Sequence, residues 1–505
     1  MQSKINTIAL NGIETIPVDV QVHLSNGMPT MAIVGLADKA VAESKERVRA
    51  ALTSLGMAMP AKRIAINLAP ADIIKEGSHY DLPIALGLMV AMGVIPEDSV
   101  ADFIVMGELS LDGGLNPVAG VLPAAISAGA ARMGMICPEQ CGKEAAFAGE
   151  INIIAPPSLT ALVNHLRGDQ ILNMPQPHVD HQQTPYPDMA DLSGQDTARR
   201  VLEITAAGGH NLLMIGPPGA GKSMMAARLP GLLPDLTPEE ALDVTMVHSV
   251  AGMLNGEGLI WQRPFRDPHH TTSAVALVGG GLKAKPGEAS LAHRGVLFLD
   301  ELAEWPRHSL DALRQIVETG KAVVSRANHH VTYPANFQLI AATNPCRCGY
   351  IDDPARACSK APKCAEQYLS KISGPMMDRF DMMIHVPEVS IMILTDPVQN
   401  EASDIISGRV KAARQMAIYR HDQGQTGVNA DLSPDVIDRL INLDDKAKAL
   451  VHEASAKQAL SARGYHRTLR VARTIADLAQ DEVTTHEHIA EALQYRRLDL
   501  HTLGC

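Results

Sequence analysis

The sequence predicts a mixed α/β protein whose centre is a nucleotide-binding core with a parallel sheet. First, a glycine- and proline-rich loop at residues 216–223 lies between an apolar run and a helix-forming segment. That is the strand–loop–helix order of a phosphate-binding site. Second, strand-like and helical patterns alternate through residues 1–168, which indicates an α/β domain. Third, the patterns after residue 390 are almost entirely helical and predict a small α-helical lid domain.

The loop contains the residue types that binding of a nucleoside triphosphate requires. After the apolar run 211–215 the predicted site reads Gly216, Pro217, Pro218, Gly219, Ala220, Gly221, Lys222, Ser223 and Met224. Its glycines let backbone N–H groups approach the phosphates at a helix N-terminus. Lys222 is predicted to reach the β- and γ-phosphates, and Ser223 to hold Mg²⁺. The alternative is a Gly-Pro turn before an ordinary helix.

Two later strands end in polar side chains suited to hydrolysis. The apolar run 296–299 is followed by Asp300 and Glu301. Asp300 is predicted to hold Mg²⁺ through water, and Glu301 to polarise the attacking water. Asn344 ends a second apolar run, 337–343, and is predicted to orient that water near the γ-phosphate. The alternative for Asn344 is a turn residue, since a proline follows it.

Two arginines are further candidates for the same chemistry. Arg379 lies in an apolar, turn-rich segment, and acting on a neighbouring chain it would stabilise charge on the transferring phosphate. Its alternative is a structural ion pair with the aspartates that flank it. Arg470 shares one helical stretch with Arg467 and Arg473 and best fits a phosphate sensor on the lid. Any of these three could instead lie on a solvated helix face.

The chain of 505 residues is too long for one hydrophobic core and predicts about two to four domains. A proline- and glutamine-rich stretch without periodicity, residues 174–187, is typical of an exposed linker. The predicted division is a first α/β domain, a linker, the nucleotide-binding core and the helical lid, at residues 1–168, 169–190, 191–389 and 390–505.

Composition limits the classes of partner. The formal net charge is −12, so a DNA partner requires local basic loops rather than a basic surface. Aromatic residues make up 3% of the chain, which disfavours base stacking as the main way to hold a single strand. The first residues lack the apolar core of a signal peptide, and no run of about twenty apolar residues occurs. We therefore expect a cytoplasmic protein without a membrane partner.

Four of the seven cysteines lie close together after Asn344: Cys346, Cys348, Cys358 and Cys364. In a chain without a secretion signal, such a group indicates a metal more than disulfides. Four thiolates suit tetrahedral Zn²⁺, although this spacing departs from the commoner zinc knuckles. The alternative is a set of free thiols in a loop.

These motifs together resemble AAA+ ATPases, and residues 192–389 resemble their magnesium-chelatase-like branch. The stretches that carry the resemblance are residues 263–273, 279–281, 286–295 and 313–318. With the flanking segments included, nearly the whole chain resembles the ComM/YifB family.

The resemblance implies a homo-hexameric ring that binds ATP and Mg²⁺ between subunits. Asn344, Arg379 and Arg470 match sensor 1, the arginine finger and sensor 2, and Gln195 matches a residue near adenine. The resemblance also implies a DNA motor, a helicase that drives branch migration of recombination intermediates in natural transformation. DNA and recombination proteins are the implied partners.

Residues 1–168 resemble a Lon-protease-type domain. His79 stands at the position of the nucleophilic serine, and Ser78 lies one residue earlier. Leu122 replaces the lysine that would activate a serine. We therefore predict a domain without peptidase activity, serving ring assembly or DNA contact.

Two segments are predicted to reach DNA in the channel of such a ring. Residues 277–288 contain Lys283 and Lys285 beside three glycines and correspond to the helix-2 insertion of this branch. Residues 321–333 contain Arg326 and are predicted to form a β-hairpin. Cationic loops of this kind bind phosphate backbones. The alternative is that these side chains are simply solvated.

Two other classes of function stay open. One is a protein-remodelling or metallation ATPase, since the magnesium chelatase motor subunit has a similar core. The Lon-like domain argues against it, because the chelatase motor lacks one. The other is a non-enzymatic regulator that uses ATP only as a switch, which the full set of predicted hydrolytic residues disfavours.

Overall fold

The computed structural model describes most of the chain. The described residues are 1–177, 185–254, 258–281, 284–325, 330–351, 356, 359, 363–390, 400–420, 427–458 and 461–496. Three residues predicted as DNA contacts or metal ligands, Lys283, Arg326 and Cys358, lie outside these ranges.

The N-terminal part is built on a mixed sheet of seven strands. The strands of this part are β1 Gln2–Asn11, β2 Glu14–Ser25, β3 Thr30–Val34, β4 Arg63–Ala69, β5 Phe103–Val105, β6 Glu108–Leu109, β7 Leu115–Asn116, β8 Gly134–Ile136 and β9 Ile153–Ile154. The sheet has the order β3-β4-β2-β1-β5-β8-β9, while β6 and β7 form a separate pair. Strands β1 and β2 pair antiparallel along their whole length. Alternation along β2 buries Val18, Val20 and Val22 in the core.

Helices cover this sheet. They are α1 Lys39–Ser54, α2 Asp81–Ala91, α3 Val121–Ala130, α4 Glu139–Ala145 and α5 Leu159–Arg167. Asp38 caps α1 by accepting a hydrogen bond from Val41 N at 2.8 Å. Helix α2 is buried almost all round, as its nearly continuous apolar sequence predicts.

The central part contains a fully parallel five-stranded sheet. Its strands, with two short hairpins, are β10 Leu212–Ile215, β11 Phe265–Arg266, β12 Gly279–Gly280, β13 Lys285–Pro286, β14 Val296–Leu299, β15 Lys321–Ser325, β16 His330–Pro334, β17 Gln338–Thr343 and β18 Met382–His385. The order in the sheet is β11-β14-β17-β10-β18. Strands β10 and β14 are buried at every position, because helices cover both faces. The predicted α/β core with a parallel sheet is confirmed.

The helices of the central part pack on both faces of that sheet. They are α6 Asp196–Gly208, α7 Lys222–Arg228, α8 Pro238–Ala251, α9 Ala274–Val278, α10 Glu288–Leu291, α11 Arg307–Thr319, α12 Lys363–Leu369 and α13 Gly374–Met377. The hairpin predicted before Asn344 is present as the antiparallel pair β15–β16. The glycine-rich part of the predicted insertion forms a second, smaller hairpin, β12–β13.

The C-terminal part is helical, as predicted. Its helices are α14 Ser403–Arg420, α15 Pro434–Leu440, α16 Asp445–Gln458, α17 Ala462–Leu478 and α18 His486–Gln494. Helix α17 begins at Ala462, because the Ser461 hydroxyl caps it by accepting a hydrogen bond from Gly464 N. Within the described ranges, no helix combines the length and the apolar character that crossing a bilayer requires.

The end of the predicted exposed linker packs on the core. The Tyr186 hydroxyl donates a hydrogen bond to Arg263 O at 3.0 Å, and Met189 is fully buried. The Asp188 carboxylate accepts from Ser403 N at 2.8 Å and so reaches the first C-terminal helix. Two large apolar side chains thus end the exposed stretch earlier than the composition predicts.

Among the described residues, the N-terminal and central parts are in contact at the following places. The Gly120 amide donates to Ser249 O at 3.0 Å, and the buried Glu144 carboxylate accepts from the Ser249 hydroxyl. At the second place, the β1–β2 turn packs on β16, where a Cβ added to Gly12 would lie 2.9 Å from Val331 Cγ1. The first contact is with the end of α8, the second with the hairpin β15–β16.

Candidate nucleotide-binding site

The predicted phosphate loop lies at the carboxyl end of β10 and leads into α7. Gly219 and Gly221 have left-handed φ values of 81° and 86°, which glycine adopts without strain. A Cβ at either position would meet nothing within 4 Å, so this face of the loop is open to a ligand. The Lys222 ammonium donates to the carbonyls of Gly216 at 2.7 Å and Pro217 at 2.9 Å. Burial lowers the pKa of Lys222, and Asp300 and Glu301 oppose that effect.

Oxygen ligands for Mg²⁺ converge beside Lys222. The Ser223 hydroxyl donates to Asp300 Oδ2 at 2.8 Å, so the two groups predicted to hold the ion are in direct contact. Asp300 Oδ1 accepts from Glu301 N at 2.8 Å, and this bond fixes the carboxylate at the end of β14. A hydroxyl and a carboxylate beside a phosphate loop are the ligand types that Mg²⁺ takes with a nucleotide. The donor set therefore fits a Mg²⁺–triphosphate.

Glu301 has a partner that the motif analysis did not identify. Its backbone is left-handed, with φ at 51°, and its half-exposed carboxylate lies 3.0 Å from His270 Nδ1. Asp267, in the same loop as His270, has its pKa raised by burial and by the nearby Asp300. The paired histidines of the 263–273 stretch were the available signal, but nothing local predicts that they face Glu301, about thirty residues later.

Asn344 and Gln195 both contact the phosphate-binding loop or its lysine. Asn344 Oδ1 accepts a hydrogen bond from Lys222 Nζ at 3.3 Å, so its side chain does not serve only a turn. Gln195 is buried, and its Nε2 donates to Pro387 O at 2.8 Å beside the end of β18. Met224 follows Ser223 on α7 and is half-exposed.

Arg379 and Arg470 lie apart from this group. Both line a cavity of about 810 Å³, and none of the described residues that line it belongs to the phosphate loop. Arg379 Nη2 donates to Glu318 Oε2 at 2.6 Å, and Arg470 donates to Leu432 O. The Nε atoms of both arginines are buried without a hydrogen-bond partner among the described residues. Burial lowers the pKa of each guanidinium.

The geometry changes the partners in the structural alternatives for these arginines: Arg379 does form an ion pair, but with Glu318. The two aspartates that flank Arg379 face Arg467 instead, at 4.0 Å and 3.8 Å. Arg473 is fully buried and pairs with Asp477 at 2.9 Å. Arg467 and Arg473 therefore do not lie on a solvated helix face, because both hold C-terminal helices to their surroundings.

Three of the four clustered cysteines come together. The sulphur atoms of Cys346, Cys348 and Cys364 all lie within 4.8 Å of one another. Cys346 Sγ and Cys348 Sγ are 3.0 Å apart, and burial raises the pKa of the Cys346 thiol. The fourth predicted ligand, Cys358, lies outside the described residues.

Of the three residues predicted to contact DNA, only Lys285 is described. It lies on β13, and its side chain is exposed. Lys283 and Arg326 lie outside the described residues.

The residues predicted to match the Lon-type active site make local contacts of their own. The Ser78 hydroxyl donates to the Glu108 carboxylate, and the ring of His79 is buried with Nε2 at 3.0 Å from Ile8 O. Burial lowers the pKa of His79 to about 4, so the ring is neutral at pH 7. Leu122 is fully buried in α3.

Three family profiles match successive parts of the chain. The profile described as Magnesium chelatase, subunit ChlI, matches residues 188–394. Subunit ChlI of Mg-chelatase matches residues 20–141, and Magnesium chelatase, subunit ChlI C-terminal, matches residues 400–496.

Relatives match over nearly the whole length. The chain is 40% identical to Uncharacterized protein YifB of Escherichia coli (strain K12), over 98% of this chain and 97% of that protein. It is 42% identical to Competence protein ComM of Haemophilus influenzae, over 96% of each. Its 29% identity to the magnesium-chelatase 38 kDa subunit of Rhodobacter capsulatus covers 30% of this chain and 49% of that protein.

Proposed function

Because the chain belongs to the ComM/YifB family of magnesium-chelatase-like AAA+ ATPases, we propose that it is a ring-shaped, ATP-driven DNA motor. Family membership implies an ATPase that uses ATP and Mg²⁺. The proposed work on DNA is branch migration of recombination intermediates, in the cytoplasm, together with recombination proteins. The competence name of the Haemophilus influenzae relative supports a role in natural transformation. The observation that carries the ATPase part is the convergence of Lys222, Ser223 and Asp300.

The proposed catalytic roles follow from this convergence. Lys222 exchanges its two carbonyl partners for phosphate oxygens, which are stronger acceptors because they are charged. Ser223 and Asp300 hold Mg²⁺, which neutralises phosphate charge when bound. The exposed carboxylate of Glu301 accepts a hydrogen bond from the attacking water, and Asn344 orients that water. Gln195 lies on the adenine side of the loop.

The active site is proposed to be shared between neighbouring subunits. Arg379 and Arg470 line one cavity, whereas Lys222 lies with Ser223 and Asp300 at the end of the sheet. A residue that stabilises a triphosphate must reach it, so this pair of arginines acts on the nucleotide of the next subunit. Each of the two guanidinium groups keeps one donor, its Nε–H, unused by the described residues. A heterologous contact of this kind closes into a ring, here a homo-hexamer.

DNA is proposed to pass through the channel of that ring. Lys285 is exposed on a short hairpin next to a glycine-rich turn, and the hairpin β15–β16 forms the second candidate. Because the chain carries a net charge of −12, such local cations have to supply the phosphate contacts. Lys283 and Arg326 are the further proposed contacts with DNA.

Residues 1–168 are proposed to form a Lon-like domain without peptidase activity. The ring of His79, at the nucleophile position, is buried against Ile8 O, and Leu122 offers no base. The domain instead serves as a scaffold on the core, through Glu144 and Ser249. The further proposed units are a linker, the ATPase core and the lid, at residues 169–190, 191–389 and 390–505.

Zn²⁺ is the third proposed cofactor. Cys346, Cys348 and Cys364 bring three sulphur atoms within 4.8 Å of one another, and thiolates are the ligands of structural zinc. A tetrahedral ion with Zn–S bonds of about 2.3 Å places its sulphur ligands about 3.8 Å apart, which lies within the observed spread.

The test of the motor function combines two assays on the full chain. ATP turnover is measured with and without forked or four-way-junction DNA, and strand displacement is measured on a three-stranded recombination intermediate. Stimulation by DNA together with ATP-dependent displacement is expected. The proposal is refuted if no DNA structure changes the rate of ATP turnover and no strand displacement is seen.

A second candidate is a protein-remodelling or metallation ATPase. It is favoured by the match of residues 188–394 to the magnesium chelatase ChlI profile. It is disfavoured because the Rhodobacter capsulatus chelatase subunit matches only 30% of this chain. ATPase stimulation by a protein partner and not by DNA would establish this candidate in place of the motor.

A further inference from the structure

The segment that carries the clustered cysteines, residues 346–364, contacts the phosphate loop where Gly349 packs against Pro218. We propose that metal bound by Cys346, Cys348 and Cys364 braces the phosphate loop, so that loss of the metal or oxidation of the thiols weakens ATP binding. This inference rests on the proposed ATP site and adds a means of regulation to it. The ligand class is a soft divalent cation, for which Zn²⁺ is the probe.

The three thiols come from two different elements. Cys346 and Cys348 follow directly after β17, whereas Cys364 lies on α12. Cys346 and Ala365 are buried together with Ile351 in a small apolar cluster, against which Cys348 and Cys364 pack. A cluster of this size contributes little burial of its own, so a metal that ties the two elements together has a large effect on their order.

One end of the segment presses on the phosphate loop. Gly349 has a φ of 85°, and a Cβ added there would lie 2.6 Å from Pro218 Cδ. The Gly349 amide donates to Cys346 O at 3.0 Å, which couples this contact to the first thiol. Asn344, two residues before Cys346, meets Lys222. Movement of the thiols is therefore transmitted to both the loop and its lysine.

The other end reaches the proposed adenine side. Arg356 lies over the Tyr350 ring, 4.4 Å from its centroid, and its Nη1 donates to Glu388 Oε1 at 3.1 Å. Glu388 directly follows Pro387, whose carbonyl accepts from Gln195. Gly349 thus contacts the phosphate loop, and Arg356 contacts the residue next to Pro387, which is the geometry of a brace rather than of a distant structural zinc site.

The first experiment measures metal and nucleotide binding on the same full-length protein. Zinc content is determined after purification without chelators, and affinity is measured with a fluorescent ATP analogue. We expect about one zinc per chain, and about a tenfold loss of ATP affinity in Cys348→Ser and in chelator-treated wild type. Added Zn²⁺ should restore affinity only in the wild type. Cys141→Ser, at a buried cysteine of the N-terminal part, is the matched control and should behave like wild type.

The second experiment separates the brace from the metal site. Gly349→Ala keeps all the thiols but collides with Pro218, so it should retain zinc and still lose ATP affinity. Gly408→Ala, at a helical glycine with open space around it, is its control. Zinc far below one per chain overturns the metal site, and zinc binding with unchanged ATP affinity on its removal overturns the brace. Zinc-dependent ATP affinity without any effect of DNA on turnover would leave this inference intact and refute the motor function.

Discussion

Mixing two inactive variants should restore ATP turnover if the active site is shared between subunits. Lys222→Ala removes the ammonium that binds the phosphates, and Arg379→Ala removes the guanidinium that the next subunit contributes. Each variant alone should lose at least about a thousandfold in turnover, the range in which an arginine finger acts. In the isolated chain Arg379 pairs with Glu318 at 2.6 Å, so its removal leaves the phosphate loop of the same chain untouched.

The size of the rescue follows from the geometry of a closed ring. A working site needs an intact Lys222 from one subunit and an intact Arg379 from its neighbour. In rings assembled at random from equal amounts of the two variants, about one quarter of the sites combine both. Turnover of the mixture should therefore approach about one quarter of the wild-type rate. The rate should rise and fall smoothly as the mixing ratio is varied.

The assay is steady-state ATP hydrolysis, with assembly checked by light scattering for each variant and for the mixture. Arg132→Ala, at an arginine of the N-terminal part outside both groups, is the control. Mixed equally with Lys222→Ala, it should give about half of the wild-type rate, because every intact Lys222 then has an intact Arg379 beside it. Mixed rings of Lys222→Ala and Arg379→Ala that form yet hydrolyse no faster than either variant alone would refute the shared site. Arg379 would then have to act within its own chain or not at all.

Three further predictions concern single residues. His270→Ala should lower kcat about tenfold with ATP affinity unchanged, because His270 holds Glu301 at 3.0 Å; a weaker affinity instead would contradict a positioning role. The pKa of His79 is lowered from 6.5 to about 4, so the unfolded chain binds this proton at higher pH than the folded chain does. Stability should therefore fall by up to about 3 kcal/mol between pH 6.5 and 4, and calorimetry of His79→Gln should show a smaller fall. For single-strand DNA binding, the slope of log K against log[salt] should become shallower in Lys285→Ala, by about 0.7 for each phosphate that the side chain neutralises, without a change in ATP affinity. Lys39→Ala, at an exposed lysine of α1, should leave this slope unchanged.

Local patterns predicted the elements that carry the phosphate chemistry. The apolar runs before Gly216, Asp300 and Asn344 became neighbouring parallel strands, and parallel strands bring their carboxyl ends to one edge. Strand periodicity is therefore enough to predict that three motifs, spread over more than a hundred residues, lie close together. The contact between Asn344 and Lys222 is the direct outcome.

Contacts between side chains of different elements were not predictable in the same way. Arg379 pairs with Glu318, 61 positions away, rather than with its neighbours in sequence, because the flanking aspartates are taken by Arg467. Helix α17 begins at Ala462 although Gly464, a residue of low helix propensity, lies in its first turn. The Ser461 cap outweighs that low propensity. In both cases the outcome depends on which partner is close in space, and sequence spacing does not contain that information.

The turn at Gly12 gives the N-terminal sheet a mechanical connection to the proposed DNA-facing side of the core. Strands β1 and β2 form a stiff ten-pair ribbon whose tip rests on Val331. We therefore expect a shift of the β15–β16 hairpin to be transmitted through this contact to the N-terminal sheet. Lengthening that tip by a few residues would uncouple the two movements while leaving each part folded.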